Sequence, residues 1–150
     1  MKIFDINLIK LRVQIADKKS LFEVMVEDFY QQGIITDKKG FLKTIIDREK
    51  IMSTGIGFGL GIPHGRHKSV NELKISVYIL ENGIEFEALD SLPVNIVFMV
   101  AIPIKSNNEY MKVLNLVSKT LHNDINRVFF SKTDDKKKIL EFLEDIKNEK

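Results

Sequence analysis

An α/β sandwich on a mixed sheet is the fold class the sequence predicts, from three observations. Apolar residues recur at helical spacing towards both ends of the chain, two runs rich in branched residues lie between them, and turn-forming residues bound those runs. The 150 residues suit one domain, 1–150, being enough for a real core and too few for two comfortable ones. No internal repeat, low-complexity stretch or Pro/Gly/Ser-rich linker marks a second unit.

The elements follow in order. Leu11–Ile15 is a weak strand candidate. Leu21, Phe22, Met25, Val26 and Phe29 share a helical face after the polar lead Asp17 to Ser20, which predicts a first helix over Leu21–Gln32 with Gly33 as its stop. Asp37 is placed to cap a second helix carrying Phe41, Leu42, Ile45 and Ile46, with Asp47 and Arg48 near its exit. Lys74–Leu80 and Val94–Ile102 read as strands, the second apolar enough to be central. After Asn107 the period is helical again: Met111, Leu114, Val117 and Leu121, then Ile125, Val128 and Phe129, then Ile139, Leu140, Leu143 and Ile146 beyond Thr133. DDKKK, Asp134 to Lys138, is the solvated first turn of that last helix.

Composition narrows the function classes. Hydrophobic residues at 44%, charged residues at 29% and a net charge of +2 describe an ordinary soluble domain, so the basic balance does not point to nucleic acid. Cysteine is absent, which excludes disulfides, thiolate metal sites and cysteine nucleophiles. No apolar run approaches about 18 residues and the first segment mixes charge with apolar residues, so the expectation is a cytoplasmic protein with no direct membrane insertion.

The densest signal is TGIGFGLGIPHGRHK, Thr54 to Lys68. Gly55, Gly57, Gly59 and Gly61 alternate with Ile56, Phe58, Leu60 and Ile62, so an extended chain has one apolar face and one of bare backbone, where something must come close. Pro63 is expected to stop the ladder and leave His64 at its lip. The dinucleotide fingerprint fails, since Leu60 and Ile62 stand where its third glycine is needed. What remains is a histidine on an approachable surface. Imidazole is nucleophilic near neutral pH and leaves readily once phosphorylated and protonated, which suits reversible phosphoryl transfer between proteins. Arg48, Ser53, Thr54, Arg66 and loop amides are candidate donors to the phosphoryl group. The same residues also fit a surface histidine beside a tight, barrel-like bend.

The other polar candidates have plainer readings. His64 and His67 form H-x-x-H, but only His122 is left to add a ligand, too few for zinc. His122 follows Leu121 near a helix end and is expected to satisfy late carbonyls; Asp90, in EALDSLP, is a turn-former.

The stretch from Arg48 to Gly65, with the arginine, S-T-G-I-G and I-P-H in register, resembles the signature of the fructose/mannitol-type enzyme IIA domains of the bacterial sugar phosphotransferase system. QQGIITDKKGFL before it, NGIEFEALDSLPVNIVFMVAIP after it and the helical last third are similar to the family layout. The resemblance implies a mixed sheet flanked by helices on both sides and no cofactor. It implies that His64 takes a phosphoryl group from phospho-HPr and passes it to a cognate enzyme IIB, which acts with the membrane enzyme IIC, and that Arg48 stands beside the active histidine. Two departures are visible. Tyr110, in NNEYMKVL, occupies the place of a second histidine common in the family and absent from some branches, galactitol-type among them. Phe58 and Gly61 stand where asparagine and alanine are usual, and both fit the alternation. Three functions follow: a sugar-uptake phosphocarrier of fructose, mannitol or galactitol type, a nitrogen-type regulatory IIA, or a binding domain that has lost transfer.

Overall fold

The computed structural model describes residues 2–148. Its elements run β1 (Phe4–Val13), α1 (Lys18–Gln31), α2 (Lys38–Ile51), β2 (Gly55–Gly57), β3 (Leu60–Gly61), β4 (His64–Arg66), β5 (Lys74–Ile84), β6 (Val94–Ile102), α3 (Tyr110–Leu121), α4 (Asp124–Lys132) and α5 (Lys136–Lys147). The sheet has the order β1-β5-β6-β3-β2, with β4 also on β6. β1 and β5 are parallel, β5 and β6 antiparallel, and β3 and β4 both run parallel to β6, so the sheet is mixed as expected.

Period-two alternation divides the core. Val97, Met99 and Ala101 of β6, with Tyr78 and Leu80 of β5, face Phe22, Met25, Phe29, Phe41 and Ile45 of α1 and α2. Ile96, Phe98 and Val100, with Ile75 and Val77, face Val117, Leu121, Phe130, Ile139 and Leu143 of α3 to α5. Both faces of β5 and β6 are therefore covered, which explains their near-continuous apolar runs, interrupted only by Ser76 in Ile75–Leu80 and by Asn95 in β6.

Capping follows the sequence. Asp17 accepts from the Ser20 N–H at 2.8 Å, Asp37 from the Gly40 N–H at 2.9 Å and Asp135 from the Lys137 N–H at 2.9 Å. Gly33 ends α1 at φ +74°, a left-handed position suited to glycine.

Three expectations change. The first strand is Phe4–Val13 rather than Leu11–Ile15; register irregularities between Phe4 and Ile9, and again before Val13, break the alternation that would have revealed it. α2 continues to Ile51, with Arg48 in its last turn, near the exit as expected. β5 runs on to Ile84. The glycine run is not one extended strand: Gly57, Phe58 and Gly59 have φ of +103°, +58° and +75°, folding β2 back on β3. Phe58 thus occupies a left-handed turn rather than a place in the alternation, and Asp90 steadies it by accepting the Phe58 N–H at 3.1 Å.

Candidate active site

The bare backbone of the glycine run is filled by the chain itself. A Cβ on Gly55 would lie 2.7 Å from the Ala88 Cβ, and one on Gly61 would lie 3.0 Å from the Phe86 ring. The close approach read from the sequence is therefore that of residues 86–88, and these glycines are not a floor for a partner. Pro63 does not end the pairing either: its carbonyl accepts the Val100 N–H at 2.9 Å, and β4 continues beyond it along β6.

That pairing fixes the backbone of His64 opposite Val100. The imidazole Nδ1 lies 2.9 Å from the Ile62 carbonyl oxygen. A carbonyl can only accept, so in the neutral ring Nδ1 carries the hydrogen and Nε2 carries the lone pair. His64 borders a cavity of about 350 Å³, and Arg48, Thr54 and Tyr110 border it too. Four residues singled out from three separate stretches of sequence thus meet at one place.

Each arrives by its own element. Arg48 comes from the last turn of α2 and donates from Nη1 to the Met52 carbonyl at 2.8 Å, which holds the guanidinium at the helix end and leaves the rest of its donor fork unengaged by that bond. Tyr110 begins α3, which also sends Leu114 and Asn115 to the cavity. The rim is apolar: Met52 is 58% exposed, Leu89 66% and Met111 50%.

Thr54 and Ser53 border the cavity with their donors already committed. The Thr54 N–H and hydroxyl both donate to the Glu49 carboxylate, at 2.8 and 2.6 Å. The Ser53 hydroxyl donates to the Phe86 carbonyl at 2.8 Å and accepts the Gly55 N–H at 3.1 Å. Arg66 does not reach the cavity. Its guanidinium donates to the carbonyls of Pro103, Ile104 and Ser106 at 2.9, 3.2 and 2.7 Å, and to Asn108 Oδ1 at 3.2 Å, bracing the loop before α3. Of the further side-chain donors expected, Ser53 and Thr54 thus border the cavity with their hydrogens directed elsewhere, and Arg66 lies outside it.

Glu49 escaped the sequence reading. A carboxylate in the last turn of a helix opposes the macrodipole, and that is the signal that could have marked it. Asn115 was hidden among the other polar positions of α3, Lys112, Ser118, Lys119 and Thr120.

His67 accepts the Ser69 N–H on Nδ1 at 3.0 Å and ties a turn. His122 holds the cap position of α3, but its backbone N–H does the capping while its ring stacks on Phe58, centroids 4.3 Å apart. Asp90 forms its turn by accepting the Leu92 N–H at 3.1 Å. Among the described residues no group of three or more His, Cys, Asp or Glu could hold a metal, and no helix is long and apolar enough to cross a membrane.

Residues 2–146 match the family model described as phosphoenolpyruvate-dependent sugar phosphotransferase system, EIIA 2. The fructose-specific EIIA component of Haloferax volcanii is 29% identical over 121 residues, covering 80% of this chain and 79% of that protein. The nitrogen regulatory protein of Escherichia coli K12 is 34% identical over 111 residues, covering 73% and 68%. The solved nitrogen regulatory protein IIA-Ntr of Neisseria meningitidis superposes with a TM-score of 0.87 at 25% identity, covering 94% of this chain and 96% of that one. With the fold and these likenesses in agreement, the chain belongs to the EIIA 2 family of the phosphoenolpyruvate-dependent sugar phosphotransferase system.

Proposed function

We propose that this phosphotransferase component is a phosphocarrier that takes a phosphoryl group from phospho-HPr onto Nε2 of His64 and hands it to an enzyme IIB for sugar uptake. The observation that carries the reading is the Nδ1 contact to the Ile62 carbonyl, which leaves the Nε2 lone pair for chemistry on a ring bordering the cavity.

The step balances simply. The Nε2 lone pair attacks phosphorus, the N–P bond of the donor phosphohistidine breaks, and its electron pair returns to the donor ring. Positive charge then grows on the His64 ring, and the Nδ1–H bond to Ile62 strengthens with it, as a hydrogen bond from a charged donor does. Arg48 faces the phosphoryl oxygens with the free part of its fork, and Tyr110 offers a hydroxyl. In the second transfer the acceptor nucleophile of IIB attacks phosphorus and the N–P bond electrons return to Nε2, so the ring ends neutral with its hydrogen still on Nδ1. The exposed Met52, Leu89 and Met111 supply an apolar ring on which both partners dock in turn, excluding water from the reacting atoms.

A regulatory role is the second reading, supported by the 34% identity to a nitrogen regulatory protein. Both readings share the phosphorylated His64 and differ in what receives the signal. The test is to phosphorylate the chain with phosphoenolpyruvate, enzyme I and HPr, then add IIB proteins of fructose, mannitol and galactitol type. Rapid passage of the label to one of them supports transport. A label that stays on the chain with all three favours regulation, and no label at all sinks both readings.

A further inference from the structure

Glu49 has no place in the transfer chemistry above, yet it is the best-connected ionic side chain near the cavity. Its side chain is 7% exposed, and its carboxylate receives the Lys18 ammonium at 2.7 Å besides the N–H and hydroxyl of Thr54 at 2.8 and 2.6 Å. Helix stability does not explain a carboxylate at this end of α2, where the macrodipole disfavours it. The contacts lead elsewhere. The carbonyl of Thr54 accepts the Ile62 N–H at 2.9 Å, and the carbonyl of Ile62 faces Nδ1 of His64 at 2.9 Å. One run of hydrogen bonds therefore joins Lys18 at the start of α1 to the His64 ring through Glu49, Thr54 and Ile62.

Resting on the reading of His64 as phosphoryl acceptor, we propose that Glu49 is a positioning residue for His64. By fixing both donors of Thr54 it sets where the Thr54 carbonyl holds Ile62, and so where the Ile62 carbonyl meets the ring. That contact selects the tautomer with the hydrogen on Nδ1 and keeps Nε2 as the nucleophile. Because the Thr54 hydroxyl donates to Glu49, it can offer only lone pairs to the cavity, which keeps a competing donor away from Nε2.

The test uses the full chain and reads the ring directly, by ¹⁵N NMR of the His64 nitrogens at a pH where the ring is neutral. A glutamine at 49 keeps the shape but has one acceptor oxygen for two donors. In Glu49→Gln the single Nδ1–H pattern is expected to give way to a mixture, with transfer from phospho-HPr about tenfold slower and its dependence on HPr concentration unchanged. Thr54→Val should shift the ring the same way, and Thr54→Ser should restore the wild-type pattern. A folded Glu49→Gln protein with the wild-type ring pattern overturns the proposal. If that variant does not fold, Thr54→Val decides: a shifted pattern supports the proposal and an unchanged one overturns it. Failure of phospho-HPr to label the wild type would remove the phosphocarrier reading but leave the ring measurement valid, so the two failures are distinguishable.

Discussion

Arg48 and Tyr110 border the His64 cavity from elements on opposite faces of the sheet, one closing α2 and the other opening α3, and they make different demands on substitution. Arg48→Lys keeps the charge but gives up the planar fork, which also holds the Met52 carbonyl. Transfer from phospho-HPr should slow about ten- to a hundredfold, the value of one charge-assisted contact, and an unchanged rate in the folded variant would assign Arg48 to capping α2. A phenol can donate a hydrogen bond, whereas an imidazole can also carry charge near neutrality. Tyr110→Phe should therefore slow transfer only about two- to tenfold. Tyr110→His should make the reaction depend more steeply on pH between about 6 and 8 than it does in the wild type, because it adds a second group that titrates there. Superimposable pH profiles for all three proteins would mean that Tyr110 takes no part. That His64 and Arg48 border one cavity was foreshadowed by residue types that are chemically marked and by a register matching a known signature. Arg66 misled for the same reason: its charge was visible, while its four acceptors lie about forty residues away on the loop before α3.

The hairpin of β2 and β3 is where element geometry matters most. At Gly55 an added Cβ meets the Ala88 Cα at 2.9 Å, which is backbone and cannot give, whereas at Gly65 it meets the tips of Thr44 and Ile45 at 3.1 and 3.2 Å. Gly55→Ala should cost about 1–3 kcal/mol, as overpacking does, and Gly65→Ala less. Denaturant midpoints of the two variants check the order, and an equal or reversed loss would mean that residues 86–88 yield more readily than α2. Period-two and 3.6-residue patterns were readable wherever an element packs regularly on one face or both, so β6 and the helical faces were placed correctly. The glycine run was misread because periodicity cannot distinguish a strand from a turn once every second residue tolerates a positive φ. Phe58 completes the disguise: a bulky residue is not expected in a left-handed turn, and it is held there by Asp90 and by ring contacts with His122 and the Arg127 guanidinium.

For the whole molecule, ionisation contributes to stability on both sides of neutrality. The Ser20 N–H holds the Asp17 carboxyl below its ordinary 3.8, and Lys38 holds Glu27 below its ordinary 4.5. A carboxylate depressed in the folded state stabilises above its unfolded value and loses that contribution as pH falls through the folded one, so stability should decline in acid below about pH 4. Tyr78 moves the other way. Burial, with its hydrogen bond to Asp28, pushes its phenol well above the ordinary 10.0. Its contribution is complete below pH 10 and is lost progressively above it, so the denaturation midpoint should fall above about pH 10 and Tyr78→Phe should flatten that decline. An alkaline decline of equal size in Tyr78→Phe would place its cause elsewhere. The central claim is more specific than stability: a single nitrogen, Nε2 of His64, accepts the phosphoryl group. The direct measurement is ³¹P and ¹⁵N NMR of the chain phosphorylated by phosphoenolpyruvate, enzyme I and HPr, beside His64→Ala. One acid-labile, base-stable phosphoryl group coupled to Nε2 of His64, absent from the alanine variant, is the predicted result; phosphorus on Nδ1, or a normally labelled His64→Ala protein, would contradict it.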